Sequence, residues 1–292
     1  MQLVHGPNYF LPAWAPRGLV TVHDLSVFKY PETHPPERID NFERRFGSSL
    51  ERAEHIITDC ETIRGEVIDF TGFPADRVTA VPLGISEAFQ PIPIERNAPV
   101  LAQLGLPLTG YGLTVSSLEP RKRIGHLLRA WRLLPSPIRD RFPLVIAGAA
   151  GWKNESLHHE IQAGTEEGWV IPLSYVPDDI LPAVYAGARV FAYPSKYEGF
   201  GLPPLEAMAS GVPTVVAKRT CLEEVTRGAA MLSDPDDERD FARQLERAID
   251  DEAWREGAVS AGIQVARDYN WKRCLNETIG VYQRVMDSRR LT

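Results

Sequence analysis

The sequence predicts an α/β protein with parallel sheets, built as two domains. Three observations carry this. Short apolar and β-branched runs alternate with longer amphipathic stretches, the pattern of parallel strands covered by helices on both faces. The 292 residues are enough for about two domains, each with its own core. The segment QPIPIERNAPVLAQLGLPLTG at 90–110 is rich in proline and interrupts the alternation, which sets a boundary there. The domains so predicted are 1–92 and 108–272, with a linker at 93–107 and a closing helix at 273–292. Two such domains leave a cleft, and ligands of open α/β sheets bind beyond the carboxyl ends of the strands.

In the first domain the strand candidates are Leu3–His5, Leu19–His23, His55–Thr58 and Val78–Val81. In the second they are Gly112–Ser116, Leu144–Ala147, Trp169–Pro172, Val190–Tyr193 and Thr214–Ala217. Helical spacing is plain in RIGHLLRAWRLL, where Ile124, Leu127, Leu128, Trp131 and Leu134 fall on one face. RVFAYPS reads as a buried strand ending at Pro194. PLEAMAS reads as a helix with Pro203 and Pro204 in its first positions and Gly211 just past its end.

Composition narrows the function. With 43% hydrophobic and 24% charged residues the chain is an ordinary globular protein. A net charge of −7 without a basic block disfavours a nucleic-acid backbone as partner. Cys60, Cys221 and Cys274 are odd in number and scattered, which fits a reducing cytoplasm rather than a disulfide framework or a zinc site. The longest apolar runs, such as PLVIAG at 143–148, are too short to span a bilayer, and the N-terminus lacks a signal-peptide core.

The most telling stretch is YEGFGLPPLE, Tyr197 to Glu206, a strand–loop–helix turn. Exposed N–H groups at its helix start favour an anion such as a diphosphate. Gly199 and Gly201 allow a ligand close to the backbone. Two carboxylates, Glu198 and Glu206, can then hold hydroxyl pairs on either side of that anion, a sugar at one end and a ribose at the other. The ligand implied is a nucleotide-diphosphate sugar. Glu206 by itself reads equally well as a residue placed to suit the helix dipole; Glu198, before a Gly-Phe-Gly loop, does so less readily.

Other candidates follow. Arg121 and Lys122 precede a helix start, where cations oppose the dipole, so helix stability does not explain them; a bound diphosphate does, against the plainer reading of a solvated basic turn. His23 and Asp24 end a strand that points at the cleft, and a structural histidine is as good a reading as a functional one. GAAG at 148–151 reads as a phosphate-side turn or a tight loop. Tyr175 and Val176 follow a strand and are candidates for the wall around the base. DPD at 234–236 imitates an Asp-x-Asp metal motif but reads as a cap and turn before a helix. HHE at 158–160 lacks the spacing of a zinc helix.

PSKYEGFGLPPLEAMASGVPTVVA closely resembles the donor-binding segment of retaining GT-B glycosyltransferases of family 4, whose Glu-x7-Glu pair matches Glu198 and Glu206. SSLEPRKRIGHLLRAW, GLVTVHDLSVFKYPETHP, RAEHIITDCETIRGEV and NWKRCLNETIGVYQRV are similar to further segments of that family, so the likeness covers nearly the whole chain. The resemblance implies two Rossmann-like domains facing a cleft, the first truncated, and a sugar moved from a nucleotide diphosphate to a hydroxyl of a glycan or lipid-linked acceptor. Arg121 and Lys122 would then stabilise the leaving diphosphate, Glu198 and His23 would meet the sugar, and Glu206 the ribose. Gly199, Phe200, Gly201 and Leu202 would line the donor. No cofactor and no metal is implied, and departing phosphate takes the acceptor proton. Relatives commonly carry Ser where this chain has Cys60, which puts an acceptor-side role for that position in doubt. Similarity to mannosyl- and rhamnosyl-type enzymes of surface polysaccharide assembly makes GDP-mannose the donor first expected, in the cytoplasm or at the inner face of the membrane.

Members of that family open with about three strand–helix units before a segment like LVHGPNYFLP, which here starts almost at Met1. Leu3–His5 is therefore expected to be an unpaired edge, and the chain to self-associate or to need a partner chain. The rival functions are a non-catalytic or split-enzyme subunit that binds a nucleotide sugar, and a nucleotide-sugar epimerase of the same fold.

Overall fold

The structure, a computed structural model, describes residues 3–149, 151–152 and 155–291. The chain opens with β1 (His5–Gly6), β2 (Gly18–Thr21), a one-turn α1 (Ser26–Lys29) and α2 (Pro36–Glu51). Next come β3 (Ala53–Thr58), α3 (Glu61–Thr71), β4 (Val78–Ala80) and α4 (Ile94–Gln103). Then follow β5 (Gly112–Val115), α5 (Ile124–Arg132), α6 (Ser136–Arg141), β6 (Leu144–Ala147) and α7 (Glu155–Glu166). β7 (Val170–Leu173), α8 (Leu181–Ala186), β8 (Val190–Tyr193), α9 (Leu202–Ala209) and β9 (Thr214–Ala217) lead on. The chain closes with α10 (Cys221–Thr226), β10 (Met231–Ser233), α11 (Glu238–Asp250), α12 (Glu252–Arg267) and α13 (Trp271–Leu291).

These elements form two compact units. The first holds Met1–Gly84, Glu198–Phe200 and Tyr269–Thr292. Its sheet is parallel throughout, in the order β1-β2-β3-β4. Leu19, Ile57 and Val81 pack against Val281 and Val285 of α13. Arg289 anchors the same helix by donating to Glu54 at 2.9 Å, and His5 Nδ1 lies 2.7 Å from the Tyr282 hydroxyl. β1 pairs with β2 alone among the described residues, so it is an edge.

The second unit holds Ile85–Tyr197 and Gly201–Asp268. Its six parallel strands run β10-β9-β8-β5-β6-β7. Counted within the unit this is the doubly wound order 3-2-1-4-5-6, with the reversal between β5 and β8. Side chains of successive strand residues leave opposite faces. Leu113, Val145, Phe191 and Val216 accordingly enter one core, while Leu144, Ile146, Val190 and Val215 enter the other. Gly112 is glycine because a Cβ there would lie 2.0 Å from the Trp131 ring of α5, which is fully buried against the sheet.

Two expectations need correction. The proline-rich segment 93–107 contains α4 and belongs to the second unit. Leu101 is fully buried there and Asn97 donates to the Ala183 carbonyl at 2.9 Å, so burial outweighs the backbone hydrogen bond that Pro99 removes. β10 was not foreseen: three residues without a β-branched side chain become a strand because they extend the sheet beside β9. Among the described residues no helix is long and apolar enough to cross a membrane.

Candidate functional site

The reversal of strand order sets the β5–α5 and β8–α9 loops side by side. They are tied together by the backbone: Lys196 N donates to the Arg121 carbonyl at 3.0 Å. The Arg121 guanidinium donates in turn to the Tyr197 carbonyl, as does the hydroxyl of the fully buried Ser195 at 3.2 Å. Glu119, 3.7 Å from Arg121, accepts a 2.5 Å hydrogen bond from Ser117. This is no solvated basic turn. Lys122 is only 9% exposed, donates from Nζ to the Tyr193 hydroxyl at 3.0 Å and lies 5.4 Å from that ring's centroid. Arg121 and Lys122 sit in a 3-10 turn, Pro120–Lys122, that Arg123 closes in the left-handed region at φ 56° before α5 begins.

On the β8 side, Gly201 at φ 105° turns the chain into α9, which starts at Leu202. A Cβ on Gly201 would lie 2.3 Å from Leu222, so a protein neighbour already requires this glycine. Glu206 accepts from the Tyr185 hydroxyl at 2.8 Å. Burial raises the Glu206 carboxyl above its ordinary range, the Tyr185 hydrogen bond pulls it back, and Asp178 adds to the rise. Val176 is buried in the core of the second unit, whereas Tyr175 is exposed; both follow β7, the sheet's outer strand. Of GAAG, Ala150 lies outside the described residues, and Gly148 is pressed on the Ser116 carbonyl, 1.9 Å from where its Cβ would be.

The remaining candidates belong to the first unit. Glu198 is 7% exposed. Gly199 has no room for a side chain, since a Cβ would meet the His23 carbonyl at 2.1 Å; its close approach is to protein backbone. Cys60 donates from Sγ to the Gly199 carbonyl at 3.2 Å. Phe200 is buried edge-on against Tyr269, with ring centroids 5.5 Å apart. Asp24 accepts from the Ser26 N–H at 2.8 Å, at the start of α1. His23 has an acceptor on each nitrogen, the Asp59 carboxylate at 2.8 Å from Nδ1 and the Pro7 carbonyl at 2.9 Å from Nε2. Burial alone would lower its pKa, but the Asp59 hydrogen bond and charge, with Pro7 and Asp24, raise it. Burial also raises Asp59, which is 3% exposed.

Sequence reasoning missed Asp59, Tyr185 and Tyr193, the residues that hold His23, Glu206 and Lys122. Asp59 had a readable signal, an acid directly after the apolar run HIIT. The tyrosines had none, because aromatic residues in a helix and a strand read as core. DPD is the turn expected: Asp234 accepts from the Asp236 N–H at 3.0 Å, and Asp237 caps α11. Among the described residues no three His, Cys, Asp or Glu side chains are grouped to hold a metal ion.

Comparison with known proteins bears on this arrangement. The chain is 41% identical over 281 residues to the O-antigen chain mannosyltransferase B of Escherichia coli, covering 96% of this chain and 74% of that protein. It is 30% identical over 247 residues to the serotype-specific mannosyltransferase WbdA of Escherichia coli, spanning 82% of this chain but only 30% of that longer one. In fold it is similar to WaaG, a glycosyltransferase involved in lipopolysaccharide biosynthesis, with a TM-score of 0.77 over 95% of this chain and 77% of that one at 15% identity. The two-unit parallel α/β architecture is that of the GT-B glycosyltransferases. The profile of the glycosyl transferases group 1 matches residues 110–265, the span that contains β5 to β10 and both loops at the strand-order reversal, and the chain belongs to that family of glycosyltransferases.

Proposed function

We propose that this chain moves mannose from GDP-mannose, with retention of configuration and without a metal, to a hydroxyl of a glycan or lipid-linked glycan. The observation that carries the reading is the placing of Arg121 and Lys122 on the β5–α5 loop and of Glu206 on α9, the helix that the β8–α9 loop enters, at the β5/β8 reversal where open α/β sheets bind ligands. Likeness to an O-antigen mannosyltransferase supports the sugar. The diphosphate lies against Arg121 and Lys122, and Glu206 accepts from the ribose. The bond from the anomeric carbon to the diphosphate oxygen breaks, and the bond to the acceptor oxygen forms on the same face. The acceptor proton passes to the departing phosphate. Both cations face more charge at that point than in the ground state, so they aid departure. Glu198 positions the sugar. The work is done in the cytoplasm, at the inner face of the membrane where a lipid-linked acceptor is presented.

Thermal unfolding with GDP and chelator tests the donor site. At a hundred times its dissociation constant, GDP should add about 2.7 kcal/mol. Stabilisation that appears only with magnesium or manganese overturns the metal-free reading, and no response to any nucleoside diphosphate overturns the site. Proton NMR of the product of GDP-mannose transfer reads the anomeric configuration, and an inverted product overturns retention.

A second reading, a subunit that needs a partner chain for transfer, is favoured by one observation. Trp271, Leu275 and Ile279 lie four residues apart on one face of α13 and are 53%, 59% and 40% exposed. An apolar stripe at helical spacing is a face that another surface can cover. Size-exclusion chromatography with light scattering, run beside a transfer assay, decides between the readings: a monomer with brisk transfer removes the second.

A further inference from the structure

Glu206 is a carboxylate in a poor place for one. Its helix, α9, packs beneath β8 and β9, and the side chain is far enough from water that burial pushes its proton affinity up. One oxygen, Oε2, accepts from the Tyr185 hydroxyl at 2.8 Å; Oε1 accepts no hydrogen bond from any described residue. Tyr185 itself is fully buried. Its ring stands edge-on to Phe89 with centroids 5.4 Å apart and is tilted against Phe191 at 5.5 Å, so the phenol cannot swing away. A buried phenol in an aromatic cage normally finds one partner for its hydroxyl. Here that partner is a group with two oxygens, only one of which the protein uses.

We propose that Tyr185 is the positioning residue that makes Glu206 a ribose reader: its hydroxyl fixes the carboxylate rotamer on Oε2 and leaves Oε1 for the ligand's hydroxyls. The inference rests on the ribose role proposed above for Glu206. Its chemistry is simple. A carboxylate accepts from a hydroxyl pair only when ionised, and Tyr185 supplies a donor that the ionised form needs more than the neutral form does. Removing that donor leaves burial and Asp178 to act unopposed on Glu206, and both favour the protonated acid. Ribose recognition should then weaken at ordinary pH and fail at a higher pH than in the parent protein.

The test is Tyr185→Phe, which removes one oxygen and keeps the ring in its cage. Affinities are measured by calorimetry for GDP, for 2′,3′-dideoxyGDP and for inorganic pyrophosphate, over a series of pH values, with the UDP pair substituted if it binds more tightly. The expected result is a loss of about tenfold for the ribonucleotide. The dideoxy nucleotide and pyrophosphate should bind as they do to the parent, which also shows that the variant is folded. The acid limb of ribonucleotide binding should move to higher pH. Unchanged discrimination between GDP and its dideoxy form in Tyr185→Phe, with Glu206→Ala abolishing it, overturns the role of Tyr185 alone. Absence of discrimination in the parent overturns the ribose role of Glu206, and this inference falls with it.

Discussion

The sheet of the second unit reverses its strand order between β5 and β8, whereas that of the first adds β1, β2, β3 and β4 in one direction. Both carry polar residues just past the carboxyl ends of their strands. Where the order reverses, the β5–β8 ladder pairs only Gly112 with Val190 and Leu113 with Phe191, while β5 and β6 stay paired over four residues. Beyond that short ladder lie the β5–α5 and β8–α9 loops, joined by the Lys196–Arg121 and Arg121–Tyr197 hydrogen bonds, with Lys122 in the first loop and Glu206 on the helix that follows the second. Where the order does not reverse, the polar groups just past β2 and β3 satisfy one another: His23 with Asp59 and Asp24 with Ser26. The same strand–loop–helix pattern thus gives a strand-order reversal, where open α/β sheets bind ligands, in one unit and a closed network in the other. Topology makes the difference, not composition.

The largest expected effect sharpens this contrast. Lys122→Ala should lower transfer turnover by about 10²–10³-fold, the usual cost of removing a group that stabilises charge developing in a transition state. His23→Ala should lose markedly less, since both of its nitrogens already meet protein acceptors. Steady-state kinetics on the two variants measures the gap. Equal losses would break the comparison and return His23 to the reacting centre.

A smaller effect separates the glutamates, one in each unit. Glu206→Ala should weaken binding of the bare nucleoside diphosphate about tenfold, the worth of a hydrogen bond to a charged group. Glu198→Ala should bind it as the parent does while slowing sugar transfer. Calorimetry and a transfer assay read the two quantities, and equal losses of nucleotide affinity would remove the division of labour.

Much of this was legible in the sequence, and for identifiable reasons. Strands such as Leu144–Ala147 and Thr214–Ala217 are apolar or β-branched throughout, as buried parallel strands are, and their bounds are the ones read from the residues. The stop at Gly211 was written in a glycine that sits at φ 75°, whereas Gly201, read as leaving room for a ligand, serves the turn into α9 at φ 105°. What was not legible depends on neighbours distant in the chain. β10 is a strand only because β9 lies beside it. α4 forms despite Pro99 because its Leu101 and Asn97 are buried within the second unit. Lys122 reads as a cation for a diphosphate, and nothing near it in the chain announces that the Tyr193 hydroxyl, 71 residues on, will accept a hydrogen bond from it.

The smallest effect concerns the closed network itself. Asp59 and His23 both have pKa values above their ordinary ones, Asp59 mainly through burial, and His23 because its acceptors outweigh burial. Raised values mean that the folded protein binds protons more tightly than the unfolded chain, so the contribution to stability is full at low pH and falls as pH rises. For His23 that loss begins near 6.5 and is complete only above the folded value. Asp59→Asn removes the hydrogen-bonded charge and leaves burial, which lowers the imidazole, set against the Pro7 carbonyl and Asp24, which raise it. The variant should therefore lose less stability than the parent as pH rises through neutrality. About a third of the ring reaches solvent, which discounts the effect to a few tenths of a kcal/mol. Urea unfolding of the two proteins from about pH 6 to about pH 9 reads the two slopes. Parallel slopes would mean that the pair is not coupled in the folded state, and that the first unit's strand-end loops are less closed than the geometry makes them.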